Sequence, residues 1–247
     1  QPLNPARGNK GPQAGVLWGE IKKNLPTGAI IKFTEGFSSP PHIHNITYRA
    51  VVISGAVHND DPKAKAMWMG PGSFWTQPAG EPHITAAAKG TNATVFLEIL
   101  EGPYLVKPSE EAFDDGERPI NIDRTNIVWL DAADISWLAQ SDTSATRMGP
   151  KMAFLWGSLA EGKLRGSLVK LPSGFSGELR SKSSDLRAVV IQGTPRHQVS
   201  DGREAKTLEP GSYFGSKGTI AHQISCQSDQ DCVFYVRSNG KFEVSKM

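Results

Sequence analysis

Aliphatic and β-branched runs of about six residues recur along the chain. They lie at Ala29–Thr34, Arg49–Ser54, Val95–Leu100, Gly166–Leu171, Arg187–Gln192 and Val233–Ser238. Gly, Pro, Asn and Asp punctuate them, the residues that end strands and open turns. The more helix-tolerant stretches, Ser109–Phe113 and Trp129–Leu138, both fall between Pro103 and Met148. Short strands at turn spacing predict an all-β chain built as jelly-roll barrels.

The pattern occurs twice. Gly36-Phe37-Ser38, Arg49–Ile53 and Gly55 return 138 residues later as Gly174-Phe175-Ser176, Arg187–Ile191 and Gly193. Trp18-Gly19 and Gly28 return at the same spacing as Trp156-Gly157 and Gly166. After a slip of one residue, Pro71-Gly72-Ser73 and His83 reappear as Pro210-Gly211-Ser212 and His222. Self-similarity over this length means a duplicated fold. The expected division is an extended arm over 1–13, a first barrel over 14–106, a linker over 107–148 and a second barrel over 149–247. The linker is expected to add a covering strand to the second barrel.

The most specific chemistry lies in the first copy. On a strand, His42-Ile43-His44 sends both imidazoles to one face, because side chains alternate with period two. A third imidazole, His83, follows the turn Pro78-Ala79-Gly80. Three neutral nitrogens on one face suit Fe(II), Zn, Cu or Ni and leave coordination positions open. By the ungapped alignment His42 and His44 become Arg180 and Lys182, which have no lone pair to offer, so the second copy is expected to hold no metal. Arg180, Lys182, Arg187, His222 and Arg237 either converge on a cationic pocket or pair with acids such as Glu178 and Asp185.

These motifs resemble those of the cupin superfamily. Gly36, His42, His44 and Gly55 fit its first motif; Gly72, Pro78, Gly80 and His83 fit its second. The chain departs from the pattern twice: Arg49 stands where the family's glutamate is expected, and Ala87 replaces the family's asparagine. The resemblance implies two tandem cupin barrels, all-β, with one divalent transition metal (Fe, Zn, Ni or Mn) held in the N-terminal barrel by His42, His44 and His83. The histidine-only set is similar to that of cupin dioxygenases that cleave diketones, and the two-domain chain resembles acetylacetone-dioxygenase-like and ChrR-like cupins. It implies a mononuclear Fe(II)-type oxygenase acting on a small chelating organic acid or diketone. The alternatives are a metal or small-ligand sensor without catalysis, and a Zn- or Mn-dependent isomerase or lyase. The resemblance also implies pairing of barrels into a homodimer.

Two further residues are candidates for catalysis. A symmetric hairpin about Lys89–Asn92 would pair Glu98 with His83, placing the carboxylate on the ligand face as a fourth ligand, a base or a partner for Arg49. Arg49 recurs as Arg187, which favours a structural ion pair; its functional alternative is to orient an anionic substrate. His58, in His-Asn-Asp-Asp-Pro, reads as a solvated loop residue. Trp75 either packs the core or faces the substrate.

Composition narrows the remaining classes. Among 247 residues, 27 basic and 25 acidic side chains give a net charge of +2, which offers no footprint for nucleic acid. No run of about 18 apolar residues exists, so no membrane-spanning helix is expected. Cys226 and Cys232 flank the polar turn Gln-Ser-Asp-Gln-Asp, and a hairpin there would bring them together. A disulfide would fit an oxidising compartment, periplasmic or secreted, as would removal of a segment before Gln1; two free thiols would fit the cytosol.

Overall fold

The computed structural model describes all residues except 1, 4–7, 9, 139–148, 183–184, 201, 203, 228 and 247. Parts of the expected arm and the end of the expected linker therefore lie outside the described residues. The chain divides into two compact units, Gln1–Ile127 and Val128–Met247.

In the first unit, a six-stranded antiparallel sheet is built from β1 (Gln13–Trp18), β2 (Thr27–Phe33), β4 (Tyr48–Ser54), β6 (Phe74–Gln77), β8 (Ala93–Ile99) and β10 (Ile120–Ile122). Its order is β1-β2-β8-β4-β6-β10. Facing it are two short pairs: β3 (His42–His44) with β9 (Val106–Pro108), and β5 (Val57–Asp60) with β7 (Ile84–Ala87). A bridge between His42 and His83 ties these pairs together. Alternation then decides which side chains face inward. Ile31, Phe33, Tyr48, Ala50, Val52, Val95 and Leu97 form the buried core between the layers. Phe96, Glu98 and Arg49 take the opposite face of the large sheet. There the indole of Trp18 lies over Gly28, where a Cβ would stand 2.3 Å from the ring, and 5.5 Å from the ring of Phe96.

The second unit repeats this plan. One sheet runs β11 (Lys151–Gly157), β12 (Arg165–Leu171), β19 (Cys232–Ser238), β14 (Leu186–Gln192) and β17 (Tyr213–Ser216). The other runs β16 (Lys206–Thr207), β15 (Arg196–Val199), β18 (Ala221–Ser225), β13 (Ser176–Ser181) and β20 (Phe242–Lys246). Trp156 covers Gly166 as Trp18 covers Gly28. The helix-tolerant stretches do not form helices of any length. Ser109–Glu111 is a single 3-10 turn, and Trp129–Leu138, within the second unit, runs irregularly, bridging to β11 at Leu130–Met152 and burying Trp137 and Leu138 in that unit's core. No helix among the described residues is long and apolar enough to cross a membrane.

Two expectations fail because consecutive strands of a jelly roll lie in different layers. β7 pairs with β5, whereas β8 pairs with β2 and β4, so the turn at Lys89–Asn92 crosses between sheets instead of closing a hairpin. Glu98 consequently stands opposite Arg49 and Gly28, not His83. In the same way Cys226 and Cys232 join β18 to β19 across layers, and there they form a disulfide. His58 is also misplaced by the sequence reading. It sits on β5, only 4% exposed, where its Nδ1 accepts the Met67 amide.

Candidate metal centre

Two strand positions and one position next to a strand converge in the first unit. His42 and His44 point inward from β3, and His83 enters from the segment leading into β7, held against His42 by two backbone hydrogen bonds. Each position of one ligand nitrogen per ring lies within 4.8 Å of the others. Ring centroids are 4.3 Å apart for His42 and His83, 5.0 Å for His42 and His44, and 5.2 Å for His44 and His83. All three residues are at least nine-tenths buried. Among the described residues, no other group of His, Cys, Asp or Glu side chains converges in this way.

Backbone carbonyls fix the tautomers. His42 Nδ1 lies 2.9 Å from the Pro40 carbonyl, His44 Nδ1 3.0 Å from Leu105 and His83 Nδ1 3.1 Å from Glu81. A carbonyl can only accept, so each Nδ1 carries a proton, and the neutral form of each ring then keeps its lone pair on Nε2. This is the outer arrangement that metal-binding histidines generally use. Charge is adjusted in the same sense. Burial, reinforced by His83 and His42, holds His44 well below the usual histidine range, and burial together with His42 takes His83 down to about 3. Both rings are neutral donors at neutral pH.

Two phenols complete the centre. Tyr48 follows His44 by four positions and reaches inward from β4. Its hydroxyl donates to Asn59 Oδ1 at 2.8 Å and stands 3.4 Å from His83 Nε2. Having committed its proton to Asn59, it faces that nitrogen with a lone pair, an arrangement suited to a shared cation. Asn59 is itself held: Oδ1 also accepts from Thr85, and Nδ2 donates to Gln77, which donates onward to the Glu81 carbonyl. Tyr104 stacks on His44 with its hydroxyl 3.1 Å from Nε2. Asn45 grips the loop that carries Tyr104, donating to the Pro103 carbonyl and accepting from the Leu105 amide. Burial raises Tyr48 to about 12 and Tyr104 well above its ordinary value, so both are protonated phenols. The donor set thus fits a divalent transition ion: three buried imidazoles, each with its Nδ1 side hydrogen-bonded to a backbone carbonyl.

A cavity of about 180 Å³ opens onto this cluster, with Phe33, Trp75, Leu97 and Val106 in its walls. Trp75 packs in the core and also lines the cavity.

Neither expected catalytic side chain reaches the cluster. Arg49 follows Tyr48 on β4 and takes the opposite face, directly across from Glu98 on β8. Neither lines the cavity. Tyr48, rather than Arg49, occupies the inward position that the family's glutamate was expected to fill. Sequence reasoning missed Tyr48 and Tyr104. The first was legible, since a spacing of three residues after His44 and six before Gly55 selects it equally well. Nothing in the local sequence marks Tyr104, which arrives from a loop 60 residues beyond His44.

Strand register also corrects the comparison between the two copies. His42 pairs with His83 and Pro108, and in the second unit Leu179 pairs with His222 and Val244. His44 pairs with Val106 as Ser181 pairs with Phe242. The counterparts of the two histidines are therefore Leu179 and Ser181, not Arg180 and Lys182. One residue fewer separates them from the shared glycine, so the ungapped alignment slips on this strand. Arg180 and Lys182 point outward and pair with Glu178 at 2.9 Å and Glu243 at 2.7 Å. Arg187 stands 3.4 Å and Arg237 4.0 Å from Asp185. Of the two readings weighed for these cations, ion pairing is what the geometry displays. His222 uses both ring nitrogens inside the unit, 2.9 Å from His197 Nε2 and 2.8 Å from Ser216 Oγ. Leu186 and Phe214 stand where the first unit has Tyr48 and Trp75.

The fold is shared with known structures. A candidate dioxygenase from Nostoc punctiforme superposes with a TM-score of 0.66 at 15% identity, covering 94% of this chain and 74% of that one. Salicylate 1,2-dioxygenase from Pseudaminobacter salicylatoxidans gives 0.60 at 13% identity, covering 92% and 76%. Oxalate decarboxylase from Lactobacillus farciminis gives 0.57 at 11%, covering 94% and 82%. At such identities the likeness is one of fold, the cupin jelly roll. No curated protein matches by sequence. A family model described as domain of unknown function (DUF4437) matches residues 1–245, and the chain belongs to that family.

Proposed function

We propose that this protein is a mononuclear metal enzyme of the oxygenase type, using His42, His44 and His83 to hold one divalent transition ion in its first barrel. The observation that carries this reading is the commitment of all three Nδ1 protons to backbone carbonyls, which leaves three Nε2 lone pairs converging beside a cavity. Iron(II) bound there would supply Lewis acidity and the electrons for dioxygen chemistry. The substrate is a small chelating organic acid or ketone, such as a diketone. Trp75, edge-on to Tyr48, shields the reacting end from water, Tyr104 places a hydroxyl donor beside His44, and Tyr48 is held in register by Asn59. Glu98 and Arg49 support the sheet from its other face, where they stand opposite one another on β8 and β4.

The second barrel is read as a degenerate copy without a metal, in a two-domain cupin resembling the diketone-cleaving and ChrR-like members. Leu179 in place of a ligand supports this. The division into arm, metal barrel, linker over 107–148 and second barrel stays part of the proposal, as does pairing of barrels into a homodimer. The Cys226–Cys232 disulfide supports an oxidising compartment, periplasmic or secreted.

Metal analysis of anaerobically purified protein, followed by oxygen-uptake screening with diketones and aromatic diols, tests the reading. Iron with oxygen consumption supports it. A bound metal without turnover favours a sensor, and zinc or manganese with turnover but no oxygen uptake favours an isomerase or lyase. Absence of any metal overturns it.

A further inference from the structure

The described walls of the cavity carry no formally charged side chain: there is no Lys, Arg, Asp or Glu, and beyond the histidines the lining is aliphatic, aromatic or hydroxylic. Its polar groups are gathered at one end. The hydroxyls of Tyr48 and Tyr104 stand beside His83 and His44, and Thr85 shares Asn59 with Tyr48. Ile31, Phe33, Val95 and Leu97 form the other walls. Arg49, the cation expected to receive an anionic substrate, projects from the other face of β4, next to Glu98.

From this asymmetry we infer that the cavity takes a ligand with its oxygen donors confined to one end and an uncharged, apolar body. This deepens the proposed function and rests on it. A metal ion can neutralise charge on the atoms it binds. A carboxylate on the far side of the ligand would lie against the apolar walls of Ile31, Phe33, Val95 and Leu97, whose side chains offer no hydrogen-bond donor or cation, and burial of a charge without such partners is strongly unfavourable. Dianionic acids and chelators with a remote carboxylate are therefore excluded. Size gives the second restriction. An apolar cavity of about 150 Å³ admits benzene in another protein, so the 180 Å³ here accommodates one substituted ring or a branched chain of similar bulk. Val106, 64% exposed, stands at the mouth of the cavity.

The test uses cobalt(II)-loaded full-length protein and a matched pair of chelators, catechol and 3,4-dihydroxybenzoate. They share the chelating diol and differ by one carboxylate on the far side of the ring. Binding is read from the visible cobalt spectrum, without turnover. We expect catechol to perturb the spectrum at concentrations at least about 10-fold lower than the acid. In Val106→Lys, a surface change at the mouth, the preference should narrow by a factor of about 3 or more. Equal or reversed affinities, no response to either chelator, or an unchanged preference in Val106→Lys overturn the inference. Failure of cobalt to give any protein-bound spectrum is a different result: it overturns the metal reading itself.

Discussion

The ring of Tyr104 lies parallel to that of His44, with centroids 4.3 Å apart, and its hydroxyl is 3.1 Å from the one nitrogen His44 can offer to a metal. Because the Nδ1 proton of His44 belongs to Leu105, the phenol is the donor in this contact. It therefore competes with an ion for the same lone pair. Tyr104→Phe keeps the stacking and removes the competitor. A hydrogen bond of this kind is worth about 1 kcal/mol, so metal affinity should rise by roughly 2- to 10-fold, measured against a chromophoric chelator. A fall in affinity would instead make the phenol a supporting group.

His83→Ala and His42→Ala should each weaken metal binding by more than about 100-fold, beyond the usual cost of disturbing an outer partner. Glu98→Gln should leave affinity within about 2-fold, because its side chain lies across from Arg49 on the far face of the sheet. Its cost should appear in denaturation, at about 1–3 kcal/mol for a group only 1% exposed. A Glu98→Gln protein that folds normally but loses metal would return the carboxylate to the centre.

Asn45 tests positioning. It touches no histidine nitrogen, yet its amide fixes the Pro103–Leu105 loop through two hydrogen bonds. Asn45→Ala should release the Leu105 carbonyl that orients His44, a loss that outweighs any gain from freeing the competing Tyr104 hydroxyl. Metal affinity should fall by roughly 10-fold, in the range seen for outer-shell changes, with the metal stoichiometry unchanged at saturation.

Acid should destabilise the metal-free protein, and the sign follows from burial. His44 and His83 are held below their unfolded value of 6.5 in the native state, His83 at about 3. Below 6.5 the unfolded chain takes up protons that the native chain refuses, so stability is lost as pH falls from 6.5 towards 3. Each histidine contributes a slope of up to about 1.4 kcal/mol per pH unit. His197 in the second unit, also lowered by burial, adds to the same trend. Urea denaturation between pH 7 and 4 should show a shallower slope for His83→Asn than for the parent.

Replacing both Cys226 and Cys232 by Ser opens a loop with a sequence separation of 6. For a loop this short the chain-entropy estimate is about 2 kcal/mol. Equilibrium unfolding of the double variant should show a loss of that order, while metal content stays the same, since the disulfide belongs to the second unit.

The sequence alone determined whatever depends on local pattern. Period-two alternation and turn residues specified the strands, the recurrence of Arg-Ala-Val-Val-Ile and the tryptophan-glycine pairs specified two copies, and His42-Ile43-His44 specified a shared face. It also brought His83 to that face through a motif whose spacing encodes the fold. What it did not decide was pairing between strands distant along the chain. Glu98 followed a hairpin rule that fails where consecutive strands enter opposite layers, and Arg180 inherited a ligand position through a one-residue slip that only register exposes. Because neighbouring residues on a strand face opposite ways, each error of one position moved a side chain from one face of a sheet to the other. Tertiary structure alone could therefore set Tyr48 and Tyr104 among the imidazoles and turn Arg49 away from them.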